Sequence, residues 1–524
     1  MQDKKWLLIL LLSVVSLSAN FWGFPIYVLD EAKNASCAME MLQRGDWVVP
    51  TFNGELRTDK PPLHYYFMMA SYSIFGVSPF SARLFSVLMG IFTVWVVYFF
   101  TRRVEGERIA FITSLVLLCS LFFNIQNHLA VPDPYFNFFL TLAWLSFGYG
   151  HQTQRTLYFY ISYSAVAFAF MAKGPLALAL SAMVFAGFII IRGDMSWSFF
   201  SRIKIWQGLF LFLGISAPWW IAVSIQTHGK WPSVFLLEHN VSRFLTPFEE
   251  HNSFVGMTVL FLMIALLPLT RYLFKALVPA WKERISRPMI LLSLTAVGSV
   301  VIFFSLSSTL LPNYIGPAVP FGAILIGYAV DKQLKTSVLS KRSLRLSAVI
   351  AFAFTAALPF ILHRAIAEDR WISDLTELAW LFIPLPIGAM VALVFAFKNR
   401  LWHSLVPYLL SLWLVGVLFF YFGVPQIIAR NPVVNSMSMI QESGREVLGY
   451  FFFNSAYVFA MERPLLTFYS PEAIQSYSAG KRVIVVTRKE YEAELTAAGF
   501  RVVFEKPYLF EGSVALVMVN EPGY

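Results

Sequence analysis

The chain has 524 residues, 58% of them hydrophobic and only 13% charged, with mean hydropathy +0.64 and a net charge of +10. Soluble domains carry about 25% charged residues, so this composition excludes an ordinary soluble enzyme. The basic excess falls in short loops at alternate segment ends, which argues against nucleic acid, and the two distant cysteines, Cys37 and Cys119, exclude a disulfide framework or a thiolate metal site.

Lys4 and Lys5 lead an apolar run from Trp6 to about Trp22. It lacks a clean small-x-small site before the polar stretch beyond it, so it is read as a retained first helix and not as a cleaved signal peptide. Residues 27–66 follow, a polar interval with six carboxylates. Segment 62–76 is apolar but short, ends at Gly76, and is expected to be an amphipathic or re-entrant helix at the membrane interface.

The remaining spans are predicted at about 80–101, 109–124, 134–150, 157–170, 175–191, 206–224, 254–270, 289–306, 312–330, 346–362, 376–397 and 403–422. With the first helix this makes an all-α polytopic membrane protein of about 13 transmembrane helices. Placing the N-terminus in the cytoplasm puts 21 Lys and Arg residues in the inner segments and 9 in the outer loops. That is the positive-inside pattern, and counting 62–76 as a further span would invert it. The loop 23–79, the segment 225–253 and the tail then face outward.

Residues 425–524 differ in composition and hold nine of the forty basic residues. A β-like run, the helix-like KEYEAELTAAGF and a second β-like run predict a small α/β extracytoplasmic domain, distinct from a membrane domain at 1–424. About 100 residues is enough for a modest core.

Candidate chemistry lies on the outer side. Asp30 and Glu31 follow apolar residues at a membrane edge, where charge is expensive and tends to be paired or used. They can take a proton from an acceptor hydroxyl or amine, or they can cap the helix that starts at Ala32. Asp59-Lys60-Pro61-Pro62 sets an anion and a cation ahead of a rigid backbone. Lys60 is suited to a phosphate and Asp59 to a cation, and the same pattern also marks an interfacial helix start with a snorkelling lysine.

Asp133, between two prolines in VPDPYFNFFL, is either functional or an N-cap. Lys173 in MAKGP is either an anion ligand or an interfacial lysine. In FLLEHNVSRF, His239 and Arg243 fall on one helical face as a metal or acid/base group and a phosphate ligand. Arg83 lies inside a span and requires a partner, structural or ligand. In SLSSTLLPNYIGP, Pro312 and Gly316 suggest an interrupted helix lining a cavity, where the hydroxyls and Tyr314 either line a headgroup site or serve ordinary helix packing.

The stretch YVLDEAKNASCAMEMLQRGDWVVPTFNGELRTDKPPLHYYFMMASYSIFG resembles the first external loop of bacterial membrane glycosyltransferases that use polyprenyl-phosphate sugars. These include the lipid A aminoarabinose transferase and the protein O-mannosyltransferases of glycosyltransferase family 39. VPDPYFNFFL, MAKGP, EHNVSRF and FFSLSSTLLPNYIGP resemble further blocks of that family in the same order, over roughly residues 5–420.

The resemblance implies a GT-C fold with the active site on the outer face of the bacterial cytoplasmic membrane. It also implies an undecaprenyl-phosphate-linked sugar donor and an envelope lipid, glycan or protein acceptor, lipid A among them. Asp30, Asp133 and Glu31 would be catalytic. Lys60, Arg83, Lys173, Arg243 and Tyr314 would bind the donor, and Asp59 and His239 would hold a divalent metal (Zn, Mg or Mn). No nucleotide cofactor and no nucleic acid are expected, membrane lipids surround the chain, and a monomer suffices.

The chain departs from the family at Ser308 and Leu310, where lysines are common, and at Val131, where arginine is common. Neutralisation of a phosphate then falls to Lys60, Lys173, Arg243 or a metal. The alternative function is a secondary transporter or lipid flippase, which interrupted helices and buried charge also suit.

Overall fold

The computed structural model describes residues 5–242, 255–336, 341–509 and 511–520. Arg243 lies outside the described residues. Helices α1 (Lys5–Leu17), α2 (Leu29–Arg44), α3 (Leu63–Phe75), α4 (Pro79–Glu105), α5 (Glu107–Cys119), α6 (Leu121–Asn127), α7 (Asp133–Thr153), α8 (Thr156–Lys173) and α9 (Pro175–Arg192) open the chain, and further helices run to residue 442. Eight helices among the described residues are long and apolar enough to cross a membrane. Counting each of two sharply bent pairs as one span brings the total to ten.

The helices pack through one core in which even large side chains vanish from solvent, Trp144, Tyr328 and Phe188 among them. Their outward faces keep large apolar residues exposed, such as Phe210 at 75% and Phe360 at 66%. A helix apolar all round belongs in hydrocarbon, not in water.

Residues 23–79 form a compact cap on this bundle. A two-stranded hairpin, β1 (Thr51–Phe52) and β2 (Glu55–Leu56), turns at Asn53 and Gly54 with φ of +53° and +81°. Asn-Gly favours such a turn because both residues tolerate positive φ. The Glu40 carboxylate holds it, accepting from Thr51 Oγ1 at 2.7 Å and Asn53 N at 2.6 Å. Segment 62–76 becomes α3, packed on α2 and α4.

The tail folds into a five-stranded sheet of order β4 (Thr467–Phe468), β3 (Glu446–Tyr450), β5 (Val483–Arg488), β7 (Val514–Asn520) and β6 (Phe500–Pro507). The first three strands run parallel, and β7 is antiparallel to both of its neighbours. One face packs beneath the tail's own short helices through Leu448, Val483, Val485 and Leu516. The other face, with Ile484, Val486 and Val517, shares a core with Tyr27, Ala35, Met39 and Met68 of the external loop. Tyr27 Oη accepts from Leu509 N at 2.8 Å, and Asn53 exchanges two hydrogen bonds with the Leu465 backbone at 2.6 and 3.0 Å. Residues 23–79 are therefore clamped between the helical bundle and the tail.

Candidate functional site

A cavity of about 340 Å³ lies where this cap meets the bundle. Its lining includes Lys60, Lys173, His239 and Tyr314, four predicted residues from four separate sequence blocks. The rest is mainly apolar, with Leu176, Phe235 and Phe304 in the wall. The combination suits a charged headgroup attached to a hydrocarbon chain.

Each of these residues is delivered by a local backbone feature. Lys173 ends α8 because Gly174 follows with φ +68°, and a Cβ there would meet the Phe235 ring at 2.5 Å. Only glycine permits that reversal so close to an aromatic ring. Tyr314 stands in a 3-10 turn, Pro312–Ala318, that interrupts the path between helices 288–305 and 319–336, as Pro312 and Gly316 suggested. Its ring packs on Phe304 at 5.0 Å between centroids. Lys60 precedes α3, and His239 lies on a π-helical turn, Leu237–Ser242.

Asp133 opens α7 and is buried at 5% exposure. Its Oδ1 accepts from Lys173 Nζ at 2.8 Å, Asn313 Nδ2 at 3.0 Å and Gln126 Nε2 at 3.1 Å. It therefore ties the lysine to the Tyr314 turn and does not act as an N-cap for α7. Leu310 is buried beside the cavity residues Thr309 and Tyr314.

Asp59 has four cationic groups around it by geometry or field. Arg57 Nη2 is 3.1 Å from Oδ2 and His239 Nε2 is 3.2 Å from Oδ1. Burial alone would raise the Asp59 pKa, but the positive charges of Arg57, Lys60, His239 and Lys33 outweigh it and hold the carboxyl below its ordinary value. Among the described residues no group of three or more His, Cys, Asp or Glu is placed to hold a metal. Asp59 and His239, the predicted metal pair, are in direct contact with one another as an ion pair.

Glu31 and Asp30 go different ways, since adjacent helical residues point about 100° apart. Asp30 is exposed in the first turn of α2, and Glu31 is 1% exposed. Glu31 receives Arg83 in a two-point ion pair, at 2.6 and 2.8 Å, and also accepts from Ala130 N at 2.9 Å. The Arg83 guanidinium, fully buried, donates to the carbonyls of Phe21 and Phe24 and lies 3.9 Å from the Phe24 ring centroid. The pair staples α2 to α4 and to the loop before Asp133. None of Asp30, Glu31 and Arg83 lines the 340 Å³ cavity.

Sequence reading missed the network beneath the cavity. Asn34 Oδ1 gathers Arg57 Nη2, Tyr65 Oη and His64 Nε2 within 3.2–3.3 Å. Burial, then the nearby charges of Arg57, Lys60 and Lys173, lower the His64 pKa well below its usual value, so this imidazole is neutral. Trp231 Nε1 donates to Arg57 O at 2.8 Å, pinning the segment that presents Asp59 and Lys60. Lys33 stands one helical residue before Asn34 and adds to the field on Asp59. The 30–34 spacing, one helical turn, was the available signal for Lys33 and Asn34.

A polytopic bundle, a capped cavity lined by basic residues and an interrupted helix, and a small sheet domain clamping the cap define a membrane fold of the GT-C type. The crystal structure of ArnT from Cupriavidus metallidurans bound to undecaprenyl phosphate superimposes with a TM-score of 0.84, at 20% identity over 99% of this chain and 98% of that one. Its apo state gives 0.83. Residues 59–221 match the family model described as dolichyl-phosphate-mannose-protein mannosyltransferase.

The undecaprenyl phosphate-alpha-4-amino-4-deoxy-L-arabinose arabinosyl transferase of Yersinia pestis (strain Pestoides F) is 30% identical over 341 residues, 64% of this chain and 60% of that protein. An uncharacterized protein of Aquifex aeolicus is 28% identical over 335 residues, 63% of this chain and 64% of that one. The chain thus spans under two thirds of the length of these relatives. The chain has the fold of the ArnT structures, and part of it matches that mannosyltransferase family model.

Proposed function

We propose that the protein is a glycosyltransferase that moves a sugar from an undecaprenyl-phosphate donor to an envelope glycolipid such as lipid A. The site is at the outer face of the bacterial cytoplasmic membrane. One observation carries this reading: Lys60, Lys173, His239 and Tyr314 converge on one apolar-walled cavity, with Asp133 hydrogen-bonded to Lys173. A lipid phosphate needs such a cation clamp beside a hydrocarbon wall. The Cupriavidus structure holds undecaprenyl phosphate and the Yersinia relative is an arabinosyl transferase, which supports the same donor chemistry here.

The reaction is an inverting single displacement. An acceptor oxygen or nitrogen attacks the anomeric carbon, and the bond from that carbon to the phosphate oxygen breaks. The bonding pair leaves with the phosphate, while the acceptor proton passes to the exposed Asp30 carboxylate. Lys60 and Lys173 face the charge that develops on the phosphate, which is the larger demand of the step. Asp133 fixes the Lys173 ammonium, and Tyr314 closes the cavity beside it. A divalent ion on Asp59 and His239 would supply further neutralisation of the phosphate. Arg243 remains a candidate donor ligand on sequence grounds. Glu31 and Arg83 act through position, by setting α2 against α4.

Thirteen crossings are the topology we favour. The eight long helices and two bent pairs, with α1, α7 and α8, correspond one to one with the segments read from hydropathy. The positive-inside pattern then sets the N-terminus in the cytoplasm and the tail, residues 425–524, outside as a cap domain.

The test of donor recognition is retention of undecaprenyl phosphate by purified protein, measured by native mass spectrometry. Lys60→Met with Lys173→Met should lose it, and retention equal to wild type would remove the basis of the reading.

A further inference from the structure

A second cavity, of about 260 Å³, lies at the opposite end of the bundle and is lined by parts of three separate chain regions. Leu344, Ala348, Ala351, Phe354, Leu405 and Tyr408 form its apolar wall, and Arg271 stands at its polar end with Ser347 and Tyr272. Ile350 and Phe354 in the lining are 59% and 61% exposed, so the cavity opens sideways toward hydrocarbon.

The helix that bears Arg271 has a distinctive form. Thr270–Lys282 bends 113° from the apolar helix before it, which turns it across the bundle. Phe274, Val278 and Trp281 on it are 47%, 64% and 50% exposed, beside Arg271, Lys275 and Lys282. An amphipathic helix with exposed aromatic and basic residues lies in a membrane interface.

Arg271 has no acidic partner among the described residues. The acids near this face are matched by other bases: Glu105 by Arg287 at 2.7 Å, Glu283 by Arg287 at 3.0 Å, and Asp331 by Lys335 at 2.8 Å. Arg271 donates only to neutral hydroxyls, Ser347 Oγ at 2.6 Å and Tyr272 Oη at 3.0 Å, and enters no ion pair among the described residues. A guanidinium fixed by two hydroxyls at the rim of an apolar cavity is prepared for a phosphate that carries an acyl chain.

We propose that this cavity binds one anionic glycerophospholipid, with its phosphodiester on Arg271 and Ser347 and an acyl chain along Ala348, Ala351 and Leu405. The site is distinct from the donor cavity. Its assignment to the cytoplasmic leaflet rests on the orientation proposed above, but the binding itself does not. A lipid there would splint the bent helix Thr270–Lys282 to helices 341–367 and 401–418.

The test uses full-length protein in detergent, titrated with phosphatidylglycerol or phosphatidylethanolamine and read by native mass spectrometry and thermal melting. Wild type should retain one phosphatidylglycerol with at least a ten-fold preference. Arg271→Gln should lose that preference, whereas Arg284→Gln, outside the cavity on the same basic segment, should keep it. Ala348→Phe retains the charge but fills the cavity, and should also lose the lipid while melting cooperatively. Equal retention of the two lipids by wild type, or an unchanged preference in both cavity variants, would overturn the proposal. So would protection by glycerol phosphate alone, which would mean that the site takes a free phosphate. Donor retention in the outer cavity is measured separately, so either reading can fail without the other.

Discussion

Lys173 Nζ lies 2.8 Å from Asp133 Oδ1, and the same oxygen receives Asn313 from the turn that carries Tyr314. Two sequence blocks 40 residues apart thus meet at one carboxylate, and the lysine is held where it faces the cavity. Removing Lys173 deprives both Asp133 and a bound phosphate of a charged partner. Lys173→Met should raise the KM for the lipid-linked donor about 10- to 100-fold, the equivalent of one charge-assisted hydrogen bond. Steady-state kinetics with donor varied checks it, and an effect confined to acceptor KM would contradict the assignment.

Glu31 and Arg83 give a prediction about folding. Both are buried and they satisfy one another at two points. Breaking a buried pair from one side leaves an uncompensated charge and costs about 3–5 kcal/mol. Glu31→Ala should therefore lower stability by about that amount in detergent denaturation, whereas the apolar double variant Glu31→Leu with Arg83→Met should recover much of it. A single variant as stable as wild type would show that the pair does not staple α2 to α4.

The acid side of the stability profile should carry the signature of Asp59. Its folded-state carboxyl sits below the ordinary value of 3.8 because the surrounding cations outweigh burial. A depressed carboxyl pKa contributes stability that is present above the unfolded value and is lost as pH falls through the folded one. The cap should loosen below about pH 4, and Asp59→Asn should flatten that slope. Hydrogen exchange of residues 55–66 as a function of pH measures it.

The tail clamp is open to a simpler probe. Asn53 makes two hydrogen bonds to the Leu465 backbone, and Asn53→Ala leaves a buried carbonyl and amide to find other partners. We expect limited proteolysis of the tail to accelerate by about ten-fold, consistent with about 1–2 kcal/mol. Cleavage at the wild-type rate would argue that the shared apolar core alone holds the tail.

Hydropathy makes the long apolar helices legible in the chain because a bilayer imposes length and polarity on each segment separately. The cavity residues were legible for a different reason: Lys60, Lys173, His239 and Tyr314 each stand in a local motif with prolines, glycine or neighbouring charge. The division of labour between Asp30 and Glu31 was not legible, because adjacency does not say which side chain turns inward. Arg83, 52 positions from Glu31, settles it by long-range packing. The same holds for Asn34 and Arg57, and for the sheet face of the tail that shares its core with α2. A charge inside a span signalled that Arg83 needed a partner, but nothing local named Glu31.

The most direct test is sugar transfer by purified protein in liposomes supplied with labelled undecaprenyl-phosphate sugar and a lipid A acceptor. Wild type should transfer label, and Asp30→Asn should lower turnover about 100-fold or more with donor retention unchanged, in the range of a lost general base. Transfer at the wild-type rate by Asp30→Asn would contradict the account.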